Sequence, residues 1–199
     1  MTEKNQQHAQ RMAKKKAVID KKIAEADKDK GLLLVLTGNG KGKSSSAFGM
    51  VARSLGHGMR VGVVQFIKSR TDTGEEAFFS DCENLDWYVT GDGFTWDTQN
   101  KEQDIATAKK GWKIAQKMLA DSSYDLLVLD ELTYLLKYRY LDSDVVLKDI
   151  ASRPLMQHCV VTGRAAGKSL LELADTVSEV VDVKHAYRDG VRAQKGIDL

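Results

Sequence analysis

The stretch Thr37–Ser44, TGNGKGKS, combines three glycines, two lysines and a closing serine directly after the apolar run Leu32–Leu36. Glycines let successive backbone N–H groups turn inward on an anion, Lys43 supplies a point charge for phosphate oxygens, and the Ser44 hydroxyl suits a magnesium ion. The chemistry is retention of a nucleoside triphosphate. The usual phosphate-loop spacing, GxxxxGK[ST], asks for a glycine five residues before Gly42, where Thr37 stands; counted from Gly38, three residues intervene rather than four. The departure is either incidental or the mark of a loop that holds its nucleotide differently.

Other polar clusters close other apolar runs: DELTY after Leu129 and TGR after Val161. An apolar run ending in an acidic residue resembles the second motif of phosphate-loop proteins, whose carboxylate lies near magnesium. The structural alternative is that Asp130 caps the helix that follows. In Thr90–Asn100, TGDGFTWDTQN, Phe94 and Trp96 stand one residue apart in a glycine-flanked loop. Either one of them anchors the loop on the core, or the pair presents an apolar face to a flat, bulky ligand. His8, His57, His158 and His185 have no metal-ligand spacing and form no Ser-His-Asp or Cys-His arrangement. An enzyme built on these residues works by positioning and charge stabilisation rather than through a proton-transferring base.

Such residues need strand ends to carry them, and the chain supplies a series. Apolar runs of four to six residues alternate with longer amphipathic stretches, the pattern of a mostly parallel α/β sheet flanked by helices. Strands are expected at Leu32–Leu36, Val61–Ile67, Leu85–Val89, Leu126–Leu129, Cys159–Val161 and Val177–Val183. Helices are expected at Lys43–Leu55, Gln99–Leu119 and Leu132–Ala151, with Lys68–Ser80 as a polar connection. In such sheets ligands gather at the carboxyl ends of the strands, where these motifs stand.

The 199 residues are 42 % hydrophobic, enough for one substantial core, so residues 31–199 are expected to form a single phosphate-loop α/β domain. Cys82 and Cys159 have no partner spacing for a disulfide framework or zinc site and read as small buried residues. With no long apolar run and a polar N-terminus, the protein is expected to be cytoplasmic, with no membrane partner. The net charge of +2 hides an asymmetry: residues 1–30 carry nine Lys/Arg and five Asp/Glu, and the remainder is slightly acidic. That segment reads as a basic arm or helix, with Met12, Val18, Ile19 and Ile23 forming a weak apolar face. The body offers no basic stripe to extend it, so no nucleic-acid partner is expected.

Taken together, GNGKGKS (38–44), VGVVQFIK (61–68), GFTWDTQN (93–100), VLDELTYLL (128–136), TGR (162–164), ADTVSEV (174–180) and VKHAYRDGVRAQKGID (183–198) resemble the ATP:cob(I)alamin, or corrinoid, adenosyltransferases of bacteria. The match runs in order from about Gly31 to the end and extends to the basic N-terminal segment. The resemblance implies a P-loop NTPase-like, RecA-like fold and transfer of the 5′-deoxyadenosyl group of ATP to the Co(I) of a reduced corrinoid, with release of triphosphate. It implies ATP lying reversed in a variant loop, which gives the missing first glycine a meaning. By the match, Gly38, Asn39, Gly40, Lys41, Gly42, Lys43 and Ser44 cradle the triphosphate, Ser44 and Glu131 lie on Mg2+, and Arg164 contacts the nucleotide. Phe94 and Trp96 match the aromatic pair that displaces the lower axial ligand of cobalt. The family further implies a homodimer, an N-terminal helix that folds over the site, and a reduced flavin or flavodoxin as electron donor. Read from the loop alone, a small kinase or ATPase and an ATP-regulated nucleic-acid module stand as alternatives.

Overall fold

A computed structural model of the chain describes residues 3–67, 73–91 and 100–198. Six strands, β1 (Leu33–Thr37), β2 (Val61–Gln65), β3 (Leu85–Val89), β4 (Leu126–Asp130), β5 (His158–Thr162) and β6 (Thr176–Glu179), form one sheet in the order β3-β2-β4-β5-β1-β6. Every pairing is parallel. Parallel neighbours need crossover connections, and helices provide them, as the alternating pattern predicts. β1 and β4, the strands that end in the phosphate-loop sequence and in Asp130, do not pair; β5 lies between them. The arrangement is the expected α/β class and is consistent with a P-loop NTPase-like fold.

The central strands are buried on both faces because helices cover both. On one side lie α2 (Lys43–Gly56) and α3 (Gly74–Phe79), with Ala47, Phe48, Val51 and Phe79 packed against Leu36, Val63, Val128 and Val160. Trp87 of β3 joins them, 5.1 Å from Phe48 and 6.0 Å from Phe79 between ring centroids. On the other side lie α4 (Lys101–Ala120), α5 (Leu132–Lys137), α6 (Ser143–Ala151) and α7 (Lys168–Leu173). Ala108, Trp112, Ala115, Met118 and Leu119 of α4 recur at helical spacing and meet Leu127, Leu129 and Ile150 there. Gly62 permits this closeness: a Cβ at that position would lie 2.6 Å from Leu127 Cδ2 and 2.7 Å from Met118 Cε.

Several expectations need correction. The Lys68–Ser80 connection contains α3, started by Thr73, whose hydroxyl accepts from the Glu76 N–H. The helical region 132–151 is two helices, because Asp142 accepts from the amides of Asp144 and Val145 and starts α6 afresh. The last strand stops at Glu179: the Val180 N–H still donates to Thr37 O, but the Val180 and Val181 carbonyls lie against Gly38 and Gly40. Cys159 is buried as expected, but Cys82 is half-buried.

α1 (Glu3–Ala24) is a 22-residue helix with Met12, Val18, Ile19 and Ile23 between 40 and 67 % exposed. Among the described residues no helix is long and apolar enough to cross a membrane.

Candidate functional site

At the carboxyl end of the sheet the chain leaves β1 through two glycines fitted against the β6 exit. The Gly40 N–H donates to Val180 O at 2.7 Å. Gly38 has φ 98°, and a Cβ there would stand 2.4 Å from that same carbonyl oxygen; at Gly40 it would stand 2.7 Å from Val181 O. Gly42 then takes φ 117° and opens α2, so the first turn of the helix, Lys43 to Ser45, begins beside a cleft. The glycines do two jobs: close packing at 38 and 40, and a left-handed turn at 42.

The cleft has a volume of about 500 Å³, and Lys41, Gly42, Lys43, Ser44 and Ser45 form one of its walls. Glu131 faces them from the end of β4, Phe78 and Phe79 line it from α3, and Gly196–Asp198 close it from the C-terminal segment. Lys43 is buried and donates from Nζ to Gly40 O at 2.7 Å. Burial lowers its pKa, the Glu131 carboxylate opposes that, and the nearby Arg164 guanidinium adds to the lowering. Lys43 is thus a buried cation whose desolvation the Glu131 and Asp130 carboxylates offset only in part. Lys41 Nζ pairs with Asp198 Oδ1 at 2.7 Å, and that contact holds the Asp198 carboxyl below the usual carboxylate range.

Of the residues named from sequence, Lys41, Gly42, Lys43, Ser44 and Glu131 meet on this cleft. Gly38 and Gly40 shape the loop from behind, and Asn39 is exposed on it. Arg164 is exposed beyond β5, close enough for its charge to act on Lys43. Phe94 and Trp96 lie outside the described residues. Asp130 is not a helix cap: Glu131, at φ 61°, occupies the start of α5. The Asp130 carboxylate is 0 % exposed and accepts from Gln65 Nε2 at 3.0 Å and Thr162 Oγ1 at 2.7 Å. Gly163, at φ 137°, has no room for a side chain, because a Cβ would lie 2.1 Å from Thr133 Oγ1 and 3.2 Å from Glu131 Oε2.

Sequence reasoning missed the α3 wall and the buried amide of Gln65. The first carried a findable signal, Thr73 followed three residues on by Glu76, a capping pattern. Gln65 stands inside the apolar run Val61–Ile67, where a single polar residue gives no sign of its cross-strand partners.

The family described as ATP:corrinoid adenosyltransferase BtuR/CobO/CobP matches residues 29–199, and that described as cob(I)alamin adenosyltransferase N terminal matches residues 1–23. A corrinoid adenosyltransferase of Pseudomonas aeruginosa is 58 % identical over 198 residues, covering 99 % of this chain and 98 % of that protein. One from Escherichia coli is 47 % identical over 194 residues, 98 % of each chain. One from a Sinorhizobium species is 43 % identical, covering 96 % of this chain and 91 % of the relative. A glycine-lysine loop at the end of β1, Glu131 across the cleft from it and likeness along nearly the whole length converge, and the chain belongs to the ATP:corrinoid adenosyltransferase family.

Proposed function

We propose that this protein transfers the 5′-deoxyadenosyl group of ATP to the Co(I) centre of a reduced corrinoid and releases triphosphate, in the biosynthesis or salvage of adenosylcobalamin. The observation that carries the proposal is the cleft shared by Lys43, Ser44 and Glu131 in a chain that matches the family over residues 29–199. An electron pair on Co(I) forms the Co–C5′ bond while the C5′–O5′ bond breaks, and its electrons leave with triphosphate. No proton moves, so the site needs cations and donors rather than a base. Lys41, Lys43 and the N–H groups at the start of α2 receive the charge that develops on the leaving group.

The residues fit a magnesium ion that arrives with the nucleotide. Among the described residues no cluster of three or more His, Cys, Asp or Glu could hold a resident metal. The Ser44 hydroxyl and Glu131 carboxylate share the cleft and offer hard oxygen ligands, the set that Mg2+ completes with phosphate oxygens and water. Bound there, Mg2+ would add positive charge next to the departing triphosphate. Arg164 reaches the nucleotide from the β5 end, and Gly38, Asn39, Gly40 and Gly42 hold the loop's backbone around it.

Phe94 and Trp96 are the aromatic pair that would displace the lower ligand of the corrinoid and ease reduction of Co(II), with a reduced flavin or flavodoxin supplying the electron. The enzyme acts as a homodimer, and α1, with its exposed Met12, Val18, Ile19 and Ile23, folds over the site. The match of residues 1–23 to the family's N-terminal segment supports that role.

Incubation with ATP, Mg2+ and chemically reduced cobalamin is expected to give light-sensitive adenosylcobalamin and intact triphosphate. ADP and phosphate in their place would mean phosphoryl transfer and overturn the proposal. Phe94→Ala and Trp96→Ala are expected to slow turnover from Co(II) more than from pre-reduced Co(I); equal losses would make the two aromatics loop anchors.

A further inference from the structure

Gln65 closes β2 and is 1 % exposed, an amide at the end of an otherwise apolar strand. Its Nε2 donates to Asp130 Oδ2 at 3.0 Å, and its Oε1 accepts from Trp87 Nε1 at 3.1 Å. An indole N–H only donates and a carboxylate only accepts, so the two partners fix the amide in one orientation. The main-chain oxygen of Gln65 accepts from the Thr90 N–H at 2.9 Å and from the Thr90 hydroxyl at 3.1 Å. On the far side of Asp130, Thr162 Oγ1 donates to Oδ1 and accepts from the Glu131 N–H at 3.0 Å.

A continuous polar chain therefore crosses four neighbouring strands, β3, β2, β4 and β5, at their carboxyl ends. At one end it takes in the Trp87 indole on β3. At the other it holds the backbone of Glu131 on the cleft. A leucine would fill the space of Gln65 without needing the two side-chain partners, and a buried amide deprived of them is destabilising. What the amide adds is orientation.

We infer that Gln65 is a positioning residue for adenosyl transfer: held by the Trp87 indole, it locks the Asp130 carboxylate, and through Thr162 the backbone of Glu131, in place at the carboxyl ends of the strands. The inference rests on the magnesium and nucleotide assignment proposed above. Two variants test it by calorimetric ATP binding titrated over Mg2+ concentration, with no corrinoid present. Gln65→Leu removes both side-chain bonds; Trp87→Phe keeps an aromatic ring against Phe48 and Phe79 but removes the donor that orients the amide. The Mg2+ concentration for half-maximal ATP binding is expected to rise about 10-fold in Gln65→Leu and by a smaller factor in Trp87→Phe, with Trp87→Phe melting close to wild type. Wild-type Mg2+ dependence in a folded Trp87→Phe, or in both variants, overturns the inference alone. ATP binding by the wild-type protein that ignores Mg2+ overturns the metal assignment and the inference with it.

Discussion

The two ends of the sheet carry similar residues and use them differently. At the amino ends of the strands, Arg60 donates to Ser123, Asp86 and Tyr124, and Asp86 also accepts from the Tyr124 hydroxyl at 2.6 Å. Asp175 accepts from Lys30 and from the Leu33 N–H, and Arg153 donates to the carbonyls of Ile150, Gln157 and Gly31. These groups close on one another. At the carboxyl ends, Lys43, Ser44 and Glu131 instead face a cleft about 500 Å³ in volume. Charge clusters alone do not mark a site; the difference is concavity beside the start of a helix, where donors point outward.

The sharpest way to break this contrast is to remove one cation from each end. Lys43→Ala is expected to lower kcat/KM for ATP by about 100-fold or more, with the fold retained. Arg60→Ala is expected to lower the melting midpoint while leaving KM for ATP unchanged. A shift in KM on losing Arg60, or none on losing Lys43, would erase the distinction.

Glycines give a second pair. A Cβ at Gly163 would strike Thr133 at 2.1 Å, and one at Gly31 would strike the Gln157 carbonyl at 2.1 Å. Both alanine variants are expected to lose about 1–3 kcal/mol of stability in denaturant titrations. Only Gly163→Ala, which crowds Glu131, is expected to weaken ATP binding measured by calorimetry as well.

The smallest effect is set by pH. The Tyr124 hydroxyl first, and then Arg60, hold the Asp86 carboxyl below its ordinary value of 3.8. A lowered carboxyl stabilises the fold above the ordinary carboxylate range and loses that contribution as pH falls through its folded value. The wild-type melting midpoint should therefore fall more steeply than that of Asp86→Asn between roughly pH 4 and pH 2. Parallel curves would remove Asp86 from the amino-end network.

How much of this was legible follows from the range of the forces involved. β3 was read from Leu85 to Val89 and found there, because five residues between turn signals leave little choice. The glycine-lysine loop is legible because its residue types are tied to phosphate chemistry, whereas Glu131 is named only through the family resemblance. The break between α5 and α6 was masked by continuing helical periodicity, although Asp142 before Ser143 carried a start signal. The placement of Asp130 was beyond reach. Its carboxylate is turned into the sheet by Gln65, on the next strand, and by Thr162, on the strand beyond, and such cross-strand partners leave no periodic trace.

The fit of Gly38 and Gly40 against Val180 and Val181 also bears on synthesis. The loop lies at residues 38–42, but the carbonyls that seat it belong to Val180 and Val181, far later in synthesis. A ribosome-bound chain that has completed β1 and α2 lacks the surface against which the loop takes shape. Competence to hold nucleotide should therefore appear only once Val180 and Val181 have emerged, so that fragments released before them would not sequester ATP.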